Sequence, residues 1–336
     1  MKICNALVLI YTAAFLQYSH AGKVKLVFAD VSVPLYAEHS GTYIAVYSAW
    51  FSVFTPIISP SKYIRTTTAS SSFSSHEVPV CDYQIDWRNV PLLDALSLGV
   101  ASVESDVWLI NGTLFVGHEL AALTDVRTFA SLYVDPLVQI VEGENPQNEF
   151  TLNQTSLNGV FDMDGTMPLQ LLVDIKTDGV EALPFILEAL EPLRSRGFLT
   201  TFANGTITPA PILVIGTGNS PLEQVKELSP RDYFFDAPLD QLTNATLNTT
   251  WDVTLSPIAS CDYGTAVGWS GIGNITDAQR SAILTLVSDA HARGIKARFW
   301  DTPGWPINAR TNVWVELMND GSDWLNADDL EAASSF

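Results

Sequence analysis

The sequence predicts an α/β fold of the (β/α)8 TIM-barrel type over residues 76–336. Short apolar runs alternate with stretches of helical period, the pattern that builds parallel sheet with helices packed on it. The span is close to the ~250 residues such a barrel uses. Polar side chains fall at the ends of apolar runs spread along the chain, as a barrel's functional face requires. An open doubly wound sheet is the alternative, but the first strand-to-helix turn lacks a G-x-G-x-x-G.

The elements follow in order. A strand near 76–82 precedes a helix at 90–98, closed by Gly99. Residues 102–109 read as a strand, and Asn111-Gly112 as a tight turn into a second strand at 114–118. Residues 169–176 form the next strand, followed by an amphipathic helix at 180–193 that ends near Gly197. Further strands are expected at 212–216, 233–236 and 253–257. Thr276 and Gln279 form a capping box for a helix running to Gly294. With strands at 295–300 and 324–326, and without the hairpin strand at 114–118, the barrel strands number about the eight that such a fold needs.

The chain before His76 has a different character. Lys2 precedes an apolar run at 6–16 and a Ser19-His20-Ala21 step, so residues 1–21 read as a signal peptide cleaved after Ala21. A retained signal anchor is the alternative. Residues 22–75 are an atypical hydrophobic and Ser/Thr-rich segment. Its stretch 43–58 contains Pro56. That stretch is short against the ~20 residues of a membrane-spanning helix, which leaves a pair of strands, a hydrophobic patch or a peripheral membrane contact. The Thr/Ser tract at 66–75 marks a boundary.

Six N-x-Ser/Thr sequons, at Asn111, Asn153, Asn204, Asn244, Asn248 and Asn274, fit a glycosylated product that is secreted or sent to the cell wall or vacuole. Cys81 and Cys261 remain after the leader, as one bridge or as two free thiols. Lys plus Arg number 17 against 37 Asp plus Glu, a formal charge of -20. Such a balance repels phosphate backbones and argues against a nucleic-acid partner.

In Val103-Glu104-Ser105-Asp106-Val107 the side-chain period of two puts Glu104 and Asp106 on one face of a strand. Asp174 and Lys176 share a face in the same way on the strand at 169–176. Three carboxylates on neighbouring strands suit Mg²⁺, which takes a few carboxylates and keeps its remaining positions for water or a phosphate. A salt-bridged rim, with Lys176 neutralising Asp174, is the alternative. His118 ends the hairpin after the Glu104/Asp106 strand and can return to the mouth where the carboxylates point. There it can serve as a general acid or base near neutral pH.

Residues 91–99, Val103-Glu104-Ser105-Asp106-Val107-Trp108, Val116-Gly117-His118-Glu119 and Leu172-Val173-Asp174-Ile175-Lys176-Thr177 together resemble the fungal altered inheritance of mitochondria protein 6 family. Ala297-Arg298-Phe299-Trp300-Asp301-Thr302-Pro303 and Trp324-Leu325-Asn326-Ala327-Asp328-Asp329 extend the resemblance to the carboxy terminus. That family is similar to the phosphatidylinositol phospholipase C-like phosphodiesterases, which include glycerophosphodiester phosphodiesterases and sphingomyelinase D-type enzymes. The resemblance implies a divalent cation, Mg²⁺ or Ca²⁺, at Glu104, Asp106 and Asp174, a histidine pair, and a phosphate-facing Lys176. It also implies that Trp300 and Asp301 lie near the pocket. The family's opening motif runs Ser-His-Asn-Asp-Tyr-Trp-Arg, whereas here extra residues separate Ser75-His76 from Trp87-Arg88. His76 is therefore the candidate second histidine, displaced by an insertion.

The function this implies is metal-dependent phosphodiester cleavage, on a glycerophosphodiester or (lyso)phospholipid headgroup, with His76 and His118 exchanging acid and base duties. A barrel that binds a headgroup or glycan without turnover is the second reading. A secreted glycosidase is the third, and it would leave Lys176 and the metal site unexplained.

Overall fold

The computed structural model describes residues 80–82, 88–151 and 156–336, with 80–82 as backbone alone. His76, Asn153, the leader and the stretch 43–58 lie outside the described residues.

The strands are β1 (Val80–Asp82), β2 (Ser102–Ile110), β3 (Thr113–Val116), β4 (Leu169–Ile175), β5 (Thr201–Ala203), β6 (Thr206–Thr208), β7 (Ile212–Gly218), β8 (Phe234–Phe235), β9 (Ala237–Pro238), β10 (Ile258–Asp262), β11 (Lys296–Trp300) and β12 (Trp324–Ala327). The main sheet runs β8-β7-β4-β2-β1-β12-β11-β10-β9, and every neighbouring pair along it is parallel. Neighbours follow chain order, except that the last strand, β12, lies beside the first. A doubly wound sheet instead reverses its order at a switch point, so that alternative is not what the chain forms. β3 pairs antiparallel with β2, and β5 with β6 forms a separate hairpin.

Helices fill most gaps between the parallel strands: α1 (Pro91–Ser97), α2 (Asp135–Glu144), α3 (Gly179–Ala189), α4 (Glu191–Arg194), α5 (Leu222–Glu227), α6 (Tyr263–Ala266), α7 (Asp277–His291), α8 (Ile307–Asn319) and α9 (Leu330–Ser334). The expected helix at 180–193 is divided into α3 and α4, with Pro192 in the first turn of the second piece, where its missing N–H is tolerated. α7 carries the full capping box of Thr276 and Gln279, and Gly294 follows it with a positive φ of 71°.

The strand expected at 253–257 is displaced to Ile258–Asp262. Asp252 takes the segment into a turn: its Oδ1 accepts from the Thr254 N–H at 2.8 Å, and its carbonyl accepts from Leu255 and Ser256. Pro257 then has no N–H to give to a ladder, so pairing starts one residue later. The Asn111-Gly112 turn forms as expected, with φ of 51° and 80°. Asn and Gly tolerate that left-handed conformation best.

Alternation along the strands sorts the core into two parts. Val103, Val107, Leu171, Val173 and Ile175 belong to the large cluster shared with helix residues such as Leu92, Leu137 and Ile186. Leu172, Ile215, Phe234 and Ile258 form a separate small cluster on the opposite sheet face, each at 1% exposure or less. Burying each stabilises the fold by roughly 1.5–3 kcal/mol. Leu172 is two residues before Asp174 on the same face, so this cluster lies beneath the level of Asp106 and Asp174.

Candidate active site

β2 and β4 pair in register with Asp106 opposite Asp174 and Glu104 opposite Leu172. The carboxylates of Glu104, Asp106 and Asp174 consequently converge, each offering an oxygen within 4.8 Å of the others. Glu104 and Asp106 are buried, and Asp174 keeps a small exposed fraction. At that spacing, each pair of ionised carboxylates repels by about 3 kcal/mol for an effective dielectric near 20. Burial raises the Glu104 pKa to about 8, against the pull of Arg298 and with further pushes from Asp174 and Asp106. Asp106 is raised by burial and by Asp174, while Lys176 and His118 act in the other direction. Three hard oxygen donors whose repulsion calls for positive charge are a set that fits Mg²⁺ or Ca²⁺.

Two cations and a histidine surround the acids. Lys176 Nζ donates to Asp174 Oδ2 at 2.6 Å and lies 3.3 Å from Asp106 Oδ1. Burial opposes the Lys176 charge, but Asp174, Asp106 and Glu104 outweigh it and hold the ammonium pKa above its usual value. His118 Nδ1 lies 2.8 Å from Asp106 Oδ2. The Gly117 N–H donates to the Asp106 carbonyl at 3.1 Å, which folds the end of β3 back onto β2 and delivers His118 to the acids. Arg298, on β11, donates from Nη2 to Glu104 Oε2 and from Nε and Nη2 to Asn326 Oδ1 at 3.0 and 2.8 Å.

A cavity of about 450 Å³ opens over this group, lined by Glu104, Asp174, Lys176, Thr217, Gly218, Asn219, Arg298 and Trp300. Its size is that of a small-ligand site. Gly218 closes one wall with a φ of 60°, and a Cβ there would fall 1.9 Å from Asp174 Oδ1. Trp300 and Asp301, neighbours in sequence, face different spaces. Asp301 lines an adjoining cavity of about 350 Å³ together with Trp305, Arg310, Asn326 and Asp328. Asp328, on the wall of that cavity, feels both places: burial and Asp301 raise it, and His118 lowers it.

A family model described as an AIM6-like phosphodiesterase domain matches residues 71–236. The altered inheritance of mitochondria protein 6 homolog of Arthroderma benhamiae is 40% identical over 269 residues, covering 77% of this chain and 83% of that protein. The chain belongs to the altered inheritance of mitochondria protein 6 family. The Eremothecium gossypii member is 35% identical over 263 residues, covering 74% of this chain and 67% of its own. The Saccharomyces cerevisiae S288c member is 31% identical over 278 residues, covering 77% and 70%. The family domain is phosphodiesterase-like, and its matched span contains Glu104, Asp106, His118, Asp174 and Lys176.

The geometry thus brings together five of the residues expected from sequence and places Trp300 on the same cavity. It adds Arg298 and Asn326, to which the sequence alone gives no role, and puts Thr217-Gly218-Asn219 on the cavity wall, where a lone Gly-x-Gly after a strand is only a weak pointer to a pocket. Arg298 is within reach of a pattern argument, because it stands two residues before Trp300 on one strand and so shares its face. Asp236, half-buried between β8 and β9, is another acid that the sequence does not single out, raised by desolvation to about 6 although Arg298 pulls it down. Cys261 is a free thiol, buried on β10, and burial pushes it up to about 12.

Proposed function

We propose that this member of the family is a metal-dependent phosphodiesterase that acts on a glycerophosphodiester or (lyso)phospholipid headgroup. The observation that carries the reading is the convergence of Glu104, Asp106 and Asp174 with His118 and Lys176 at one cavity. Glu104, Asp106 and Asp174 would hold the cation, Mg²⁺ or Ca²⁺. When bound, that ion supplies electrostatic stabilisation of the charge gathering on a phosphoryl group. Lys176 contributes a fixed positive charge directed at the phosphate oxygens, the kind of preorganised field that lowers phosphoryl-transfer barriers most. Asp106 accepts from His118 Nδ1–H and so orients the ring, leaving Nε2 as the atom that exchanges a proton with an attacking hydroxyl or a departing alkoxide. His76 would be its partner in that exchange. Trp300 offers an apolar wall to the headgroup, and Asp301 faces the adjoining cavity.

The sheet supports the (β/α)8 barrel as part of this proposal. β8 and β9 are separated by Asp236 alone, β8 pairs with β7, and β9 pairs with β10. Read as one strand, residues 234–238 join the two ends of the sheet, giving a closed ring of eight.

For destination, we read the protein as secreted or delivered to the cell wall or vacuole after removal of residues 1–21, with residues 43–58 as a peripheral membrane contact. The sequon asparagines among the described residues, Asn111, Asn204, Asn244, Asn248 and Asn274, are all exposed, as glycan attachment requires. No described helix is long and apolar enough to cross a membrane.

The test is product analysis by mass spectrometry with lysophospholipids and glycerophosphodiesters, with and without EDTA, beside a Glu104→Gln variant. Turnover that both the chelator and the substitution abolish is the expected result. A folded, cation-binding chain with no turnover on either substrate class would replace this reading with a headgroup-binding protein.

A further inference from the structure

Arg298 is 1% exposed. Such complete burial is unusual for an arginine. It lies on β11, across from Ser260 on β10 and Trp324 on β12, and projects into the polar layer above the small apolar cluster. Two of its nitrogens converge on a single acceptor, Asn326 Oδ1. Asn326 is itself 4% exposed on β12. A planar guanidinium anchored at two atoms to one fixed oxygen cannot swing, so the remaining reach of its fork is directional. That reach ends on Glu104 Oε2.

Glu104 needs such a hold more than its two companions. Asp106 is steadied by His118 and Lys176, and Asp174 by Lys176 on a shorter side chain. Glu104 has one more rotatable bond than an aspartate, and the hydrogen bond that holds its carboxylate comes from Arg298. The bond engages one of its two carboxylate oxygens. Behind it, the Glu104 carbonyl accepts from the Tyr133 hydroxyl at 3.1 Å, which fixes the strand but not the carboxylate.

We propose that Arg298, held in place by Asn326, is a positioning residue that fixes the Glu104 carboxylate in the rotamer that meets Asp106 and Asp174. The inference rests on the reading of those three carboxylates as cation ligands, and it assigns Arg298 and Asn326 to the support of that site. Groups that orient metal ligands from behind commonly govern affinity as strongly as the ligands' own geometry does. The opposite role is a clear rival. If Arg298 served only as a counter-charge to Glu104, it would compete with the incoming cation, and its removal would tighten binding.

The experiment is Mn²⁺ titration of the full chain, followed by loss of the free-ion electron paramagnetic resonance signal, with thermal unfolding measured in parallel. The variants are Glu104→Gln, Arg298→Met, Arg298→Lys and Asn326→Ala. Wild type should bind Mn²⁺, and Glu104→Gln should weaken that binding. Arg298→Met should lower affinity about 10- to 100-fold, the usual cost of losing such support. Arg298→Lys should recover part of the loss. Asn326→Ala keeps the arginine charge and removes only its anchor, so a fall in affinity with an intact fold isolates positioning even if Arg298→Met does not fold. Unchanged or tighter Mn²⁺ binding in Arg298→Met or Asn326→Ala overturns the proposal while leaving the cation site standing. Wild type that binds no Mn²⁺ overturns the cation site and this inference with it.

Discussion

Replacing Gly218 with alanine puts one methyl group against one carboxylate. The added Cβ would lie 1.9 Å from Asp174 Oδ1 and 2.9 Å from the Ile175 carbonyl oxygen, and real Cβ contacts essentially never fall below 3.0 Å. Asp174 must therefore retreat by roughly 1 Å, a misplacement that can cost an active site about 100-fold. A second effect is separate from the clash. Gly218 has a φ of 60°. An alanine held in that left-handed region costs about 1–2 kcal/mol wherever it occurs. Gly99 supplies the control, because it has a φ of 75° with nothing within 4 Å of its would-be Cβ. In urea unfolding Gly99→Ala should lose the backbone cost alone, and Gly218→Ala that cost plus the clash. Only Gly218→Ala should lose Mn²⁺ affinity, together with any metal-dependent turnover, by about 10-fold or more. Equal Mn²⁺ affinity in the two variants would refute the argument, since it would mean that Asp174 can move without consequence for the triad.

Other expectations follow from local contacts. Asp323 is held below the usual carboxylate range: burial opposes this, but hydrogen bonds from Lys296, the Ala297 N–H and His291 prevail. A depressed folded-state pKa means stability that is present above the unfolded carboxylate pKa near 3.9 and lost as pH falls through the folded value. Asp323→Asn should thus destabilise the chain at pH 7, and its deficit against wild type should shrink in urea titrations carried below about pH 4. Thr276→Ala removes the cap of α7 and should cost about 1 kcal/mol. Both substitutions remove the Asn274 sequon, and of the two Thr276→Asp keeps a capping oxygen. Near-native unfolding with a glycan-sized loss of mass is expected for it, and destabilisation equal to that of Thr276→Ala would count against the capping account. Trp314, on α8, is 2% exposed. Trp314→Ala should cost about 3–5 kcal/mol, measured as a shift of the urea midpoint.

Much of this architecture is legible where one local rule dominates. The strand at 102–109 and the hairpin after it follow from alternation and from Asn111-Gly112, and both are present as β2 and β3 within a residue or two. Glu104, Asp106, Asp174 and Lys176 fall on shared faces by the same period of two. Legibility fails where side chains compete with the ladder. Asp252 captures the N–H of Thr254 and turns a segment whose apolar content reads as strand. The strand expected at 233–236 shortens to Phe234–Phe235, and a second piece, Ala237–Pro238, follows beyond Asp236, whose backbone pairs with Gly216 while the two pieces serve opposite partners. The Arg298 fork escapes for another reason. Its acceptors, Glu104 and Asn326, are 194 and 28 residues away, and only the β11–β12 and β1–β2 pairings bring them within reach. The period of two puts Arg298 on the face of Trp300, but nothing local names the acceptors it meets.

The small apolar cluster beneath the carboxylates has a kinetic meaning. Leu172, Ile215, Phe234 and Ile258 present no hydrogen-bonding side-chain atom, so neither an ion nor a phosphate can shed its hydration and pass downward through them. In the closed barrel proposed above, a guest of the cavity would arrive from the strands' carboxyl ends and leave by that doorway. Residence time would then depend on the segments that line the cavity beside the charges, the Thr217-Gly218-Asn219 turn and the strand end at Trp300. Evolution could retune how long a guest stays by editing those segments, with every charge in the polar layer left as it is.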